Sequence, residues 1–298
     1  MLSVVQFISR KKFLKLSAIS ISGTLLSSFD SITESGNESA IKIGLCGPWE
    51  SSDVAKKAGC TYIEEGVAKI LMPGKSDQEF NQQFEKFSSQ PLPVESFNVF
   101  LPGEMCVVGE NADHQTIMDY ASVAFNRMEK TRAKTLVFGS GKARMIPDGF
   151  DKSKAVEQFI SLCKTLAPVA AKHNITLAVE QLNRGETNFI NTLREAGEIV
   201  DAVHHPNLKM ICDIYHALKE NDPVSELVRL DDRIIHCHIA EREDRTPPGV
   251  HGDDFTPYFR ALKKINYQGR ISLECRWKNM EAELPVAVKV LKDQLSNA

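Results

Sequence analysis

From about residue 40 onward, short apolar runs alternate with longer amphipathic segments. The short runs are rich in β-branched and aromatic residues and are bounded by turn-forming residues, which is typical of buried strands. Eight such runs follow one another along the chain: AIKIGLC, TYIEEGV, VESFNVF, TLVFGSG, TLAVEQL, LKMICDIYH, RIIHCHIAE and RISLECR. The pattern therefore predicts eight strands.

The segments between these runs have the pattern of amphipathic helices. In DHQTIMDYASVAFNRMEKTRA and DKSKAVEQFISLCKTLAPVAAKH, apolar residues recur at helical spacing, while lysine and glutamate occupy the other face. NMEAELPVAVKVLKDQL, after the last strand, predicts the eighth helix. Strands that alternate with helices pair in parallel through right-handed crossovers, and eight units match the usual barrel of about 250 residues. We therefore predict an α/β protein with a single (β/α)8 TIM barrel; an open doubly wound sheet is the alternative.

The start of the chain has a different pattern. The basic run RKKFLK at residues 10–15 precedes an uncharged, moderately apolar stretch at residues 16–29. That is the layout of an export signal, and SRKKFLK resembles a twin-arginine motif with Lys11 in place of the second arginine. The stretch is too short and serine-rich for a transmembrane helix, so we expect no stable membrane insertion after signal removal. We predict an export signal and polar linker over 1–36, the barrel over 37–298, and a periplasmic location by a twin-arginine-like or Sec route, with the cytoplasm as the alternative.

Composition narrows the classes of partner. The formal net charge is −3 and the only basic run is RKKFLK, so the chain lacks the electrostatic footprint of a duplex-DNA binder, and we predict no nucleic-acid partner. The seven cysteines are odd in number and lack metal-type CxxC spacing, which indicates no disulfide framework. GLCG in the first run is not a GxGxxG fingerprint and gives only weak support for a nucleotide site.

Ionisable residues follow the apolar runs of the last four predicted strands. Function in a barrel lies at the C-terminal strand ends, and these ends carry, in order, Glu180, Asp213, His238 and Glu274. One such residue alone is usually a helix cap or a structural ion pair. Three carboxylates gathered with an imidazole at one mouth would instead leave uncompensated negative charges that repel one another, and a divalent cation would compensate them. The set favours Mn²⁺ or Mg²⁺, with Co²⁺ or Zn²⁺ as alternatives.

His236 lies two residues before His238, so both side chains face the same side of the strand. Because His238 is closer to the mouth, we assign it to the metal. We interpret His236 as a hydrogen-bonded core histidine.

These residues resemble the xylose isomerase-like TIM-barrel superfamily, and within it the D-tagatose 3-epimerase and hydroxypyruvate isomerase group. The resemblance covers Ile41 to the C-terminus. It implies one bound divalent metal, usually Mn²⁺, on the four residues above, with Glu180 and Glu274 also acting as the acid/base pair. A second glutamate six residues after the first ligand matches Glu186, and a substrate-contacting histidine three residues after the aspartate matches His216. The shared HxHxxE run ends at Glu241.

The predicted substrate-binding arginine departs from the family pattern. The epimerases place it six residues beyond the ligand histidine, where this chain has Asp244; Arg242 and Arg245 flank that position and either could substitute. Arg144 and Arg276 are further candidates for substrate hydroxyls or a carboxylate, with a surface ion pair as the alternative for each. The loop REDRTPPGVHGDDF is this chain's own and could shape specificity or be merely solvated.

The predicted function is a metal-dependent isomerase or epimerase of a small keto-sugar. The metal would polarise the carbonyl, a carboxylate would remove the adjacent proton, and an enediolate would form. Return of the proton gives epimerisation or isomerisation, whereas expulsion of a β-substituent gives a lyase acting on a keto-sugar, keto-inositol or 3-keto-glycoside.

Two further classes stay open beside these reactions. One is a non-catalytic sugar-binding barrel. The second is an endonuclease IV-like enzyme, which would need several additional histidines for a zinc cluster, whereas four of the eight histidines here fall on predicted helices or their ends: His114, His173, His204 and His205. The oligomeric state also stays open: FLPGEMCVVG could supply an exposed apolar loop for a homo-oligomer, or the same loop could roof the active site.

Overall fold

The protein is described here from a computed structural model, which covers residues 41–298. The predicted export signal and polar linker lie outside the described residues. Among the helices described, none is long and apolar enough to cross a membrane.

Eight parallel strands form a closed barrel in sequence order. Closure is made by β1 and β8, with Leu45 opposite Leu273, and this pairing excludes the open-sheet alternative. The single TIM barrel is therefore confirmed. The strands are β1 (Lys42–Cys46), β2 (Ile63–Gly66), β3 (Val94–Asn98), β4 (Thr135–Phe138), β5 (Thr176–Val179), β6 (Leu208–Asp213), β7 (Ile234–Ile239) and β8 (Arg270–Leu273).

Helices follow the strands and pack around the barrel, as the amphipathic segments predicted. Several begin at a side-chain cap; Thr192 and Glu195, for example, form a capping box. The helices are α1 (Ser52–Ala58), α2 (Val67–Ile70), α3 (Asp77–Ser88), α4 (His114–Met128), α5 (Lys152–Lys172), α6 (Leu193–Val203), α7 (Ile214–Glu220), α8 (Val224–Leu230), α9 (Thr256–Lys264) and α10 (Met280–Ser296), with short 3-10 turns at Trp49–Ser51 and Asp231–Arg233.

The run LKMICDIYH extends beyond β6, which ends at Asp213, the strand end that the sequence predicted; the next residues begin α7. One sequence-based expectation fails. The loop FLPGEMCVVG is not an exposed apolar surface, because Phe100, Leu101, Val107 and Val108 are all buried in the core.

The large core lies between the barrel wall and the helices, whereas a small apolar cluster of Val137, Ala178 and Ile211 fills part of the interior. Because alternate strand residues point to opposite faces, His236 and His238 share a face while Cys237 joins the outer core. The interior at β2, β7 and β8 is therefore polar, and it leads towards the mouth.

Candidate metal centre

The last four strands bring the four predicted ligands together at the mouth of the barrel. Glu180 and Glu274 directly follow β5 and β8, Asp213 is the last residue of β6, and His238 lies in β7. Asp213 stands opposite His238 in the strand register. One donor atom from each of the four residues lies within 4.8 Å of the other three. The strand ends thus form the cluster that their sequence positions predicted.

His238 lies at the centre of this cluster, fully buried. Its Nδ1 atom is 2.9 Å from Glu180 Oε1, 2.9 Å from Glu274 Oε2 and 3.7 Å from Asp213 Oδ2. Burial lowers the pKa of His238, but the charges of Glu64 and Glu274 outweigh burial and hold that pKa well above its usual value. These carboxylates therefore favour the protonated, cationic form of the His238 imidazole, which compensates their negative charge.

The two glutamates differ in their affinity for a proton. Burial raises the pKa of Glu180, although the hydrogen bond and charge of His238 oppose the shift. Burial also favours the neutral form of Glu274, but the charges of His238 and Arg245 outweigh burial, and its pKa is lowered. Environments that separate the pKa values of two carboxyl groups are typical of acid/base pairs.

The donor set fits a hard divalent cation. Asp213 Oδ2 and Glu274 Oε2 are buried without an aligned hydrogen bond, which leaves their lone pairs directed at the cluster. Three carboxylates and one imidazole nitrogen match Mn²⁺ or Mg²⁺ better than a soft, thiolate-preferring ion. A Cβ atom at position 139 would collide with Glu180 Oε2, so only glycine leaves room for this carboxylate beside β4. The cluster is a candidate metal centre.

His216 and Glu186 lie beside the centre and share a hydrogen-bonding partner. The Asn183 backbone N–H donates to His216 Nδ1 at 3.1 Å, and its side-chain amide donates to Glu186 Oε1 at 3.3 Å. Because His216 Nδ1 accepts, Nε2 carries the proton of the neutral imidazole. That Nε2 is buried, lies 3.5 Å from Asp213 Oδ2, and has no hydrogen-bond partner. His216 is therefore bonded to Asn183 through Nδ1 and still offers an unpaired Nε2–H donor at the site.

Of the four candidate arginines, only Arg245 contacts the metal cluster. Its guanidinium lies 2.7 Å from Glu274 Oε2 and 3.3 Å from Glu186 Oε1, and it stacks over the Tyr215 ring at 4.8 Å. Burial lowers the pKa of Arg245, but the surrounding carboxylates outweigh burial and raise that pKa. Arg245 therefore lies beside the candidate ligand Glu274, between this carboxylate and Glu186.

The other three arginines lie elsewhere. Arg242 is exposed and donates to Asn221 Oδ1 at 3.0 Å, and Arg276 is also exposed. Arg144 is fully buried and donates to two backbone carbonyls, those of Phe138 and Ile190. This geometry gives Arg144 a structural role, in place of the predicted substrate contact.

Two further buried glutamates contact the site or its loop, and the strand-end pattern predicted a role for neither of them. Glu64 on β2 is fully buried and contacts both His236 and His238, which confirms His236 as a hydrogen-bonded core residue. Glu241, the end of the HxHxxE run, accepts backbone N–H bonds from Gly249, His251 and Gly252. The sequence signal for Glu64 was its charge within the otherwise strand-like run TYIEEGV, where a buried carboxylate needs hydrogen-bonding partners.

Comparison with known proteins agrees with this architecture. A family model described as the xylose isomerase-like TIM barrel matches residues 52–294. An L-ribulose 3-epimerase of Methylomonas sp. is 32% identical over 137 residues, covering 41% of this chain and 48% of that protein. A 3-dehydro-D-guloside 4-epimerase of Escherichia coli is 32% identical over 114 residues, covering 38% and 43%. The chain thus spans less than half the length of these two curated relatives.

A solved structure supports the fold over a greater length. The D-psicose 3-epimerase of Clostridium cellulolyticum, described with D-tagatose, has a TM-score of 0.73 at 18% identity. The match covers 86% of this chain and 99% of that one. At this level of identity the likeness shows a shared fold.

Proposed function

The chain belongs to the xylose isomerase-like TIM-barrel family, and from that premise we propose that it is a divalent-metal-dependent isomerase or epimerase of a small keto-sugar. The observation that carries the proposal is the convergence of Glu180, Asp213 and Glu274 on Nδ1 of His238. A non-catalytic sugar-binding barrel would not need two glutamates with opposite pKa shifts at one centre.

The four clustered side chains would hold the metal. A bound divalent ion supplies Lewis-acid polarisation of the substrate carbonyl, which acidifies the adjacent C–H bond. We assign Mn²⁺ as the first choice because oxygen donors outnumber the single nitrogen donor; Mg²⁺, Co²⁺ and Zn²⁺ are alternatives.

Glu180 and Glu274 would form the acid/base pair. The Glu274 carboxylate would accept the proton from carbon, and Glu180 would return a proton to carbon from the other side of the substrate. The roles exchange in the reverse reaction. Both groups contact the same nitrogen of His238, so they flank one point in the mouth.

His216, Glu186 and Arg245 would orient the substrate. The free Nε2–H of His216 and the guanidinium of Arg245 are donors for carbonyl and hydroxyl oxygens, and Glu186 is an acceptor for a hydroxyl. If the predicted export signal acts, the substrate is a free or oxidised sugar, because sugar phosphates are largely cytoplasmic.

Deuterium exchange tests the proposed reaction. The Mn²⁺-loaded protein is incubated with a panel of free ketoses and keto-glycosides in D₂O, and carbon-bound deuterium is followed by NMR after the metal is removed. Stereochemical exchange with deuterium at the carbon next to the carbonyl is expected, and Glu274→Gln should abolish it. Loss of water or aglycone would identify a lyase, and the absence of exchange across the panel would contradict the proposal.

A further inference from the structure

The interior of the barrel holds a carboxylate outside the proposed metal ligands. Glu64 on β2 has no exposed surface. Its Oε1 lies 2.8 Å from His238 Nε2, its Oε2 lies 2.7 Å from His236 Nε2, and the Ser272 hydroxyl donates to Oε2 at 2.6 Å. Three neighbours from β7 and β8 thus satisfy one buried anion, and none of the steps proposed above uses it.

His238 connects this carboxylate to the metal centre through its two ring nitrogens. Nδ1 faces Glu180 and Glu274, whereas Nε2 faces Glu64. A nitrogen that binds a metal must be unprotonated, so a neutral imidazole that uses Nδ1 carries its proton on Nε2. That buried N–H requires an acceptor, and Glu64 Oε1 is in place to accept it.

The same three residues could be mistaken for a second metal site, because Glu64, His236 and His238 bring one donor atom each together. Their separations of 2.7 and 2.8 Å are those of direct hydrogen bonds. All three side chains are fully buried, and Ser272 completes the coordination of the carboxylate by donors. Hydrogen bonding therefore accounts for the cluster.

We propose that Glu64 is a positioning residue of the metal centre: by accepting the Nε2–H of His238, it fixes the tautomer and ring orientation that present Nδ1 to the metal. The inference rests on the proposed function in one respect, namely that a divalent ion binds at His238. Partners of this kind, hydrogen-bonded behind a metal-binding histidine, typically change metal affinity by about 10- to 100-fold when they are substituted.

Glu64→Leu tests this role because it removes both carboxylate oxygens, whereas Glu64→Gln would keep an amide oxygen that can accept the Nε2–H of His238. Mn²⁺ affinity is measured by calorimetry on the chelator-stripped full chain, together with the thermal midpoint of the metal-free protein. We expect Glu64→Leu to bind Mn²⁺ about 10- to 100-fold more weakly than the unsubstituted protein. The matched control is Tyr62→Phe, which removes the hydroxyl that contacts Ser272 Oγ at 2.8 Å but leaves all three bonds of Glu64 in place. The Mn²⁺ affinity of the control should stay within about threefold of that of the unsubstituted protein, which corresponds to a difference in binding free energy below about 1 kcal/mol.

The result that would overturn the inference is a folded Glu64→Leu protein whose Mn²⁺ affinity equals that of the control. If the variant does not fold, the tautomer decides: ¹⁵N NMR of the histidine-labelled, Zn²⁺-loaded natural protein should show His238 protonated at Nε2 and metal-bound at Nδ1. Protonation at Nδ1 would overturn the inference. Failure of the natural protein to bind any metal would instead refute the proposed function, and the two failures are therefore distinguishable.

Discussion

At the scale of single residues, the centre is organised by charge compensation. Four carboxylates, those of Glu180, Glu186, Asp213 and Glu274, lie close to two cationic groups, His238 and Arg245. A divalent ion would take over the compensation of the ligand carboxylates, which would release the guanidinium of Arg245 for a substrate oxygen. Arg245 would thus weaken metal binding and strengthen substrate binding.

Replacing Arg245 by methionine should separate these two effects. We expect tighter Mn²⁺ binding, by severalfold, because a cation beside the metal is lost. We also expect at least a tenfold lower kcat/KM for the ketose that shows the fastest deuterium exchange, equivalent to about 1.4 kcal/mol of transition-state binding. Arg242→Met is the comparison, since Arg242 contacts Asn221 and lies outside the cluster. A larger loss of kcat/KM in Arg242→Met than in Arg245→Met would contradict this assignment.

At the scale of elements, the loop after β7 is tied to one buried carboxylate. Glu241 accepts bonds from the backbone N–H groups of Gly249, His251 and Gly252 and from the hydroxyl of Thr246. Burial raises the pKa of Glu241, but these hydrogen bonds outweigh burial and lower it. Glu241 thus holds the loop after β7 against the barrel. Because this loop carries Arg245, Glu241 also fixes the position of that arginine beside the candidate metal centre.

Glu241→Gln should therefore show a pH-dependent loss of stability. A lowered folded-state pKa means that ionised Glu241 stabilises the fold above its unfolded pKa of about 4.3, and that this stability is lost as the pH falls through the folded pKa. At pH 7 the variant should unfold at a lower temperature, because hydrogen bonds to a charged group contribute about 1.5–3 kcal/mol each. The difference in thermal midpoint from the unsubstituted protein should shrink as the pH approaches 4 and below. A difference that stays constant from pH 7 to pH 3 would contradict this role for ionised Glu241.

The sixth strand shows why local pattern alone sets element boundaries poorly. Ile214 and Tyr215 favour strand by composition, yet they begin α7. The reason is Asp213, whose Oδ1 accepts the backbone N–H of His216 at 2.9 Å and caps the new helix. The same aspartate presents Oδ2 to the candidate metal centre, so one side chain both caps the helix and is placed as a candidate ligand. From the sequence alone, a helix cap and a metal ligand were alternative interpretations of such a residue.

At the scale of the whole molecule, periodicity predicted the eight strands, and the barrel rule placed Glu180, Asp213, His238 and Glu274 at one mouth. What local pattern could not predict depends on contacts between distant strands. Glu64 meets His238 across 174 positions of the sequence. The choice of Arg245 over Arg242 depends on the backbone of the β7 loop, where Asp244 and Arg245 both adopt positive φ angles. Neither feature has a local periodicity that a sequence could reveal.

Metal content per chain tests the central claim most directly. It is measured by elemental analysis on protein purified without chelator, then again after reloading with Mn²⁺, alongside His238→Ala. About one divalent ion per chain is expected, since the four donors form a single centre, and His238→Ala should lose it. Chains that bind no metal under either condition would contradict the account, as would several zinc ions per chain.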